Sequence, residues 1–332
     1  MEIERLKGPT PRHPFPVYED PVARLLAAHG RDSFLRDAVV AHVLGTCAGY
    51  AYADTGTVAT VMARLGLGES ACVRVAQTVD AMYVFSTAFL VQSSCGRVVI
   101  LCYRGTEPAN LGNWLGDADT GIEPMVLDAE SLRVHAGFHR NVRATQLAVM
   151  EELQHAREGR SLLDPRTSVE HPLEALYVTG HSLGGAMAAL FALAVTGTAE
   201  SGAIAERLRA VYTFGQPMAI ADPLPELARG VGRKLYRHVV PRDIVPTLPP
   251  AQWGPFVHFG HEYRYSGGAW QLAETPTTQL THPLDISRSV LAMFSPARRR
   301  DSSRYSLTEH GPHHYVAALR PGDRVTEFGF RG

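Results

Sequence analysis

The spacing of apolar residues changes several times along the chain, and each change marks an element. Residues 21–66 repeat apolar positions at helical spacing in VARLLAAHG, FLRDAVVAHVLGTCAGYAY and VATVMARLGL. That predicts two or three helices packed on a sheet edge. Ahead of them, Pro9, Pro11, Pro14 and Pro16 block helix and predict an extended arm over residues 1–20. From residue 74 the pattern turns to β, with alternation in Met82–Ser94, a turn at Cys95-Gly96 and a continuous apolar run over Val98–Tyr103. An antiparallel pair leading into a buried central strand fits this order.

Beyond that strand the pattern alternates between helix and strand. Residues 119–134 predict a connection with exposed Ile122, Met125, Val126 and Leu127, either a lid over an apolar cleft or a plain surface loop. A helix follows over roughly 138–157, then a polar, proline-containing loop over 158–172. Strand-like Leu176-Tyr177-Val178 turns through GHSLGG into an apolar helix. Leu208–Gly215 and Lys234–Val240 read as further strands, and Phe256–Ser266 as a β segment containing a glycine. Residues 284–295 look helical, Arg298–Arg300 lie in a basic loop that could touch anionic headgroups, and a terminal helix starts at Pro312.

The 332 residues carry 45% hydrophobic and 20% charged residues, enough for a large core. A formal net charge of −1 argues against a nucleic-acid surface and for an uncharged or weakly charged ligand. The four cysteines, Cys47, Cys72, Cys95 and Cys102, show no paired spacing and read as reduced, buried thiols. The first residues are charged and proline-broken with no apolar core of a leader, so a cytoplasmic location is the expectation. The longest apolar run is interrupted by glycines and too short to span a bilayer.

Candidate chemistry concentrates at strand ends. Strand, Gly180-His181-Ser182-Leu183-Gly184, helix matches the nucleophile elbow of an α/β-hydrolase, with a glycine-rich turn that carries a serine by accident as the alternative. The glycines let strand and helix backbones approach, which holds the Ser182 hydroxyl on a strained turn. The Leu183 N–H opens the helix and can face an oxyanion. Thr106, in Arg104-Gly105-Thr106, is the candidate second oxyanion donor, with an ordinary turn threonine as the alternative. Asp243 follows the second strand after the elbow, where the acid of a triad belongs, although Asp is also a common turn residue. His310 precedes the terminal helix, and the order Ser, Asp, His matches that fold. His313 and His314 compete with it but fall within the helix, and no Asp or Cys nearby completes a metal site for the three. His258 and His261 match no metalloprotease spacing and read as structural. No metal or organic cofactor is required for this chemistry.

Together these segments resemble the class 3 lipase family, the fungal-lipase-like α/β-hydrolases. VVILCYRGTEPANLGNWLGD resembles its strand, oxyanion loop and Trp-x-x-Asp segment, VTGHSLGG its elbow, and RDIVPTLPP its acid loop. EHGPHHYVAAL resembles its terminal Asp-His-x-x-x-x-Tyr pattern, with Glu309 in place of Asp and a departure at Gly311-Pro312. The resemblance covers about residues 75–320. It implies an α/β-hydrolase fold with a central, mostly parallel sheet flanked by helices, to which the helical periodicity of residues 21–66 adds an N-terminal helical extension. Residues 1–70 would form an arm and helices packed on a catalytic domain of residues 71–332. It further implies hydrolysis of carboxylic esters of acylglycerols or related lipids, with a lipid or small ester as substrate and transient contact with a lipid interface. A non-catalytic binding protein on the same fold, or a thioester hydrolase or acyltransferase using the same residues, are the alternatives.

Overall fold

The computed structural model describes residues 15–28, 37–68, 70–106, 121–128, 130–281, 306–322 and 324–328. The arm up to residue 14, Trp114 and Asp117, the helix expected over 284–295 and the basic Arg298–Arg300 loop lie outside them. The first three helices each begin at an aspartate. Asp20 accepts from the Ala23 N–H ahead of α1 (Pro21–Ala27), Asp37 from Val39 and Val40 ahead of α2 (Ala38–Tyr50), and Asp54 from Thr57 ahead of α3 (Thr55–Met62). Each cap satisfies N–H groups that the first helical turn leaves open.

An eight-stranded sheet follows. Strands β1 (Ala71–Val79), β2 (Val84–Gln92) and β3 (Val98–Tyr103) form an antiparallel meander. Next come a two-stranded hairpin, β4 (Ile122–Leu127) and β5 (Glu130–His135), and the long helix α4 (Ala136–Arg157). The chain continues as β6 (Ala175–His181), α5 (Leu183–Thr196), α6 (Gly202–Ala205), β7 (Leu208–Phe214), α7 (Arg229–Lys234) and β8 (Leu235–Val239). It ends with β9 (His261–Ser266), β10 (Ala269–Leu272) and α8 (Pro312–Leu319). The spatial order is β1-β2-β3-β6-β7-β8-β9-β10, with β3 through β9 parallel. Tyr103 lies beside Gly180, His181 beside Phe214 and Phe214 beside His238. The loops leaving β3, β6, β7 and β8 therefore emerge side by side at one end of the sheet, where open α/β sheets hold ligands.

Side-chain alternation divides the core in two. Val99, Leu101 and Tyr103 of β3 face a cluster with Phe138 of α4 and Phe191 of α5. Val98, Ile100 and Cys102 face the opposite cluster, with Leu44 of α2 and Leu319 of α8. A strand buried on both faces reads as an unbroken apolar run, as VVILCY does. Cys47, Cys72 and Cys102 are buried free thiols and Cys95 is partly exposed.

The structure corrects several expectations. Helix α3 packs on the edge strand β1 as expected, but α2 crosses the middle of the sheet against β6 and β7 and is covered by α8. Its residues Val39 to Ala48 are all buried, so it has no wet face to present at an edge. Residues 122–135 form a hairpin rather than an open connection. Met125 and Leu127 are buried in the core and Val126 alone of that group is largely exposed. The Phe256–Ser266 segment becomes regular strand only from His261, after Gly260 at φ +81°. Strand β10 had no counterpart in the sequence reading.

Candidate active site

Ser182 sits between β6 and α5 at φ 59°, ψ −131°, a conformation that costs a residue with a side chain of order 1–3 kcal/mol. The surroundings hold it there. Its N–H donates to Phe214 O at 2.9 Å, and its carbonyl accepts from Gly185 at 2.9 Å. A Cβ on Gly180 would lie 2.3 Å from Gly184 C, and one on Gly184 2.1 Å from Tyr103 O. Only glycine lets strand and helix cross this closely. The Leu183 N–H lies in the first turn of α5, where no carbonyl four residues earlier belongs to the helix.

The strand-end loops converge on this elbow. A Cβ on Gly105 would lie 3.2 Å from Ser182 Cβ and 2.5 Å from His181 O, which puts the Arg104-Gly105-Thr106 loop alongside the serine. The acid loop starts after β8 with Arg242 in the left-handed region, at φ 67°. It is clamped by the Ser306 N–H, which donates to Arg242 O at 2.6 Å. That clamp brings the segment before α8 across the sheet end and sets His310 in a short helical turn, Thr308–His310.

Asp243 and His310 meet there. The His310 Nδ1–H donates to Asp243 Oδ2 at 2.9 Å, since an ionised carboxylate only accepts. Tyr315 O–H donates to the same oxygen at 2.5 Å, and the Val245 N–H to Oδ1 at 2.9 Å. Burial, then the Asp243 charge, push the Tyr315 phenol well above its ordinary value, so it stays a donor. The remaining His310 nitrogen, Nε2, is buried and has no hydrogen-bond partner among the described residues. Ser182, Asp243 and His310 are exposed by only 1%, 3% and 5%. A water-poor setting strengthens each of these electrostatic contacts.

The structure thus assembles Asp243 with His310, and sets Gly105 and Leu183 around Ser182. His313 and His314 lie one turn on, with their rings tilted by 38° to each other and centroids 4.1 Å apart. His258 donates through Nε2 to Pro246 O at 2.7 Å beneath the acid loop. Among the described residues, no group of three or more His, Cys, Asp or Glu is placed to hold a metal ion. Sequence reasoning missed Gly215 and Tyr52. A Cβ on Gly215 would lie 2.8 Å from Asp243 Oδ2 and 2.9 Å from His310 Nδ1. The Gly-Gln-Pro turn after β7 was its only signal. Tyr52 O–H bonds His181 Nδ1 from across the fold, with no local pattern to mark it.

Residues 100–253 match the family described as Lipase (class 3). A lipase of Rhizomucor miehei is 28% identical over 223 residues, which cover 67% of this chain and 56% of that protein. A triacylglycerol lipase of Ricinus communis is 28% identical over 216 residues, 54% of this chain and 40% of that protein. The chain thus spans about half the length of these curated relatives. The solved Rhizomucor miehei lipase propeptide complex superposes with a TM-score of 0.56 at 20% identity, over 85% of this chain and 81% of that one. The fold is that of an α/β-hydrolase, and residues 100–253 of the chain match the class 3 lipase family.

Proposed function

We propose that this protein hydrolyses carboxylic esters of acylglycerols or related lipids through Ser182, His310 and Asp243. The observation that carries the reading is the state of His310. Its Nδ1 is bonded to a buried carboxylate while its Nε2 is left open beside a strained serine elbow. His310 Nε2 takes the Ser182 proton as Oγ attacks the ester carbonyl. The N–H groups of Thr106 and Leu183 receive the oxyanion, each donor being worth about 2.7–4 kcal/mol in the barrier. Asp243 fixes the His310 tautomer and stabilises the imidazolium, and His310 then returns the proton to the leaving alcohol. Water activated by the same histidine releases the acid. No metal or organic cofactor takes part. The named relatives, one a lipase and one a triacylglycerol lipase, support a lipid ester as substrate. Among the described residues no single helix is long and apolar enough to cross a membrane.

The test is hydrolysis of nitrophenyl esters from acetyl to palmitoyl by the wild type and by Ser182→Ala. Turnover with a chain-length optimum, lost by about 10³-fold or more in the variant, is the expected result. Folded wild type that turns over no ester, or a variant as active as wild type, overturns the proposal and leaves a binding protein on this fold.

A further inference from the structure

Next to the serine, the elbow carries a buried histidine that the chemistry above does not use. His181 Nε2 lies 2.7 Å from the main-chain oxygen of His310, and His181 Nδ1 lies 2.9 Å from Tyr52 O–H. A carbonyl only accepts, so Nε2 must carry the proton. Nδ1 then has a lone pair, and the Tyr52 hydroxyl must donate to it. One tautomer of a neutral ring satisfies both contacts. Burial, then the neighbouring His310, hold His181 well below its ordinary pKa, so the ring stays neutral. The two imidazoles are close, with centroids 4.5 Å apart, and Tyr315 packs edge-on against His181 at 5.6 Å.

We propose that His181, oriented by Tyr52, is a positioning residue for the catalytic histidine, because it grips the backbone carbonyl of His310 from the serine elbow. This rests on the function proposed above. His310 reaches the site on a turn outside the sheet, whose anchors on the acid loop side are Ser306 to Arg242 and Nδ1 to Asp243. Those contacts leave the distance from His310 to the elbow unset. The His181 bond sets it, since His181 and Ser182 are adjacent in the chain. Tyr52 adds the third part of the site. A Cβ on Gly105 would lie 2.3 Å from the Tyr52 hydroxyl, so that hydroxyl packs against the oxyanion loop while it orients His181. Elbow and histidine turn are therefore joined by hydrogen bonds, and the oxyanion loop packs against the same Tyr52 hydroxyl. A charged His181 would also oppose the imidazolium that forms on His310, and the Tyr52–His181 tautomer avoids this.

The side-chain geometry supplies a selective test. A glutamine amide nitrogen overlays imidazole Nε2 and keeps the donor to His310 O. An asparagine overlays Nδ1 and loses it, and leucine loses both. The variants are His181→Gln, His181→Asn, His181→Leu and Tyr52→Phe. Active sites are counted with a fluorophosphonate that labels Ser182, and kcat and KM are measured on a soluble nitrophenyl ester. We expect His181→Gln within about 3-fold of wild type, and His181→Asn and His181→Leu down about 10- to 100-fold in kcat per labelled site, with KM little changed. Tyr52→Phe should lose up to about 10-fold, because the tautomer is no longer fixed. The downfield proton resonance of the His310–Asp243 bond should persist in His181→Gln and broaden in His181→Asn. Asparagine and glutamine variants of equal kcat, or losses that vanish once sites are counted, overturn the positioning role while ester hydrolysis stands. Wild type inert toward both ester and phosphonate overturns the functional reading, and the inference with it.

Discussion

Substitution of Gly215 offers the sharpest perturbation of the proposed triad, because Gly215→Ala adds one carbon beside Asp243 and His310 and removes none. The residue leaves β7 at φ +59°, with its N–H donating to His238 O at 3.0 Å. A Cβ placed there would lie 2.8 Å from Asp243 Oδ2, 2.8 Å from His310 Cε1 and 2.9 Å from His310 Nδ1. Ordinary contact needs about 3.5 Å, so the carboxylate and the ring must retreat by roughly 0.6–0.7 Å. The three contacts straddle the 2.9 Å hydrogen bond between them, so the methyl wedges the pair apart. A misplacement near 1 Å costs about 100-fold in rate, and a smaller one should cost about 30- to 100-fold in kcat for Gly215→Ala. The left-handed backbone adds about 1 kcal/mol of strain, read separately as a lower urea midpoint. The assay is ester turnover per phosphonate-labelled site. Gly202→Ala is the matched control. Nothing lies within 4 Å of its added carbon and it sits in α6, so it should leave kcat unchanged and raise stability by up to about 1 kcal/mol. A Gly215→Ala enzyme within 3-fold of wild-type kcat would refute the wedge argument.

Tyr315→Phe removes one of the two donors to Asp243 Oδ2, and kcat should fall about 10-fold with KM steady, as measured on the same esters. Glu262→Gln strips the charge partner from Arg237, a buried pair with both side chains 1% exposed, and should lower unfolding free energy by about 3–5 kcal/mol in urea melts. Stability should fall as pH drops below about 6.5. His42 and His238 have folded pKa values pushed down to about 4 and about 3 by burial, and burial also lowers His181 and His258. Each is neutral when folded and takes up a proton on unfolding below its unfolded value near 6.5. Their contribution is therefore present above that pH and is lost toward the folded value, by up to about 1.4 kcal/mol per pH unit per histidine. His42→Gln should flatten the urea midpoint's slope between pH 4 and 6.5, and an unchanged slope would contradict this assignment.

What could be read from the chain follows the range of the interactions. Ser182, Asp243 and His310 each lie where one element ends and another starts, so turn chemistry and strand order suffice to nominate them. The sheet core was legible for the same reason, since β3 reads VVILCY without a polar residue. Helix α2 was misplaced although its sequence held the sign. AVVAHVLGTCAGY has no charged residue, and a helix on a sheet edge needs a polar stripe. The β4–β5 hairpin alternates too, with Met125, Leu127, Leu132 and Val134 inward and Val126, Ser131 and Arg133 outward, but Pro124 and a short span disguised the period. Tyr52 and Gly215 belong to another class. Tyr52 acts through a hydrogen bond spanning 129 residues, and Gly215 acts through the atom it lacks. A single distant contact and an absent methyl leave no periodicity or spacing behind. The residues that hold a triad in register are for this reason harder to read than those that compose it, and their substitution is the better measure of whether the geometry, rather than the motif, sets the rate.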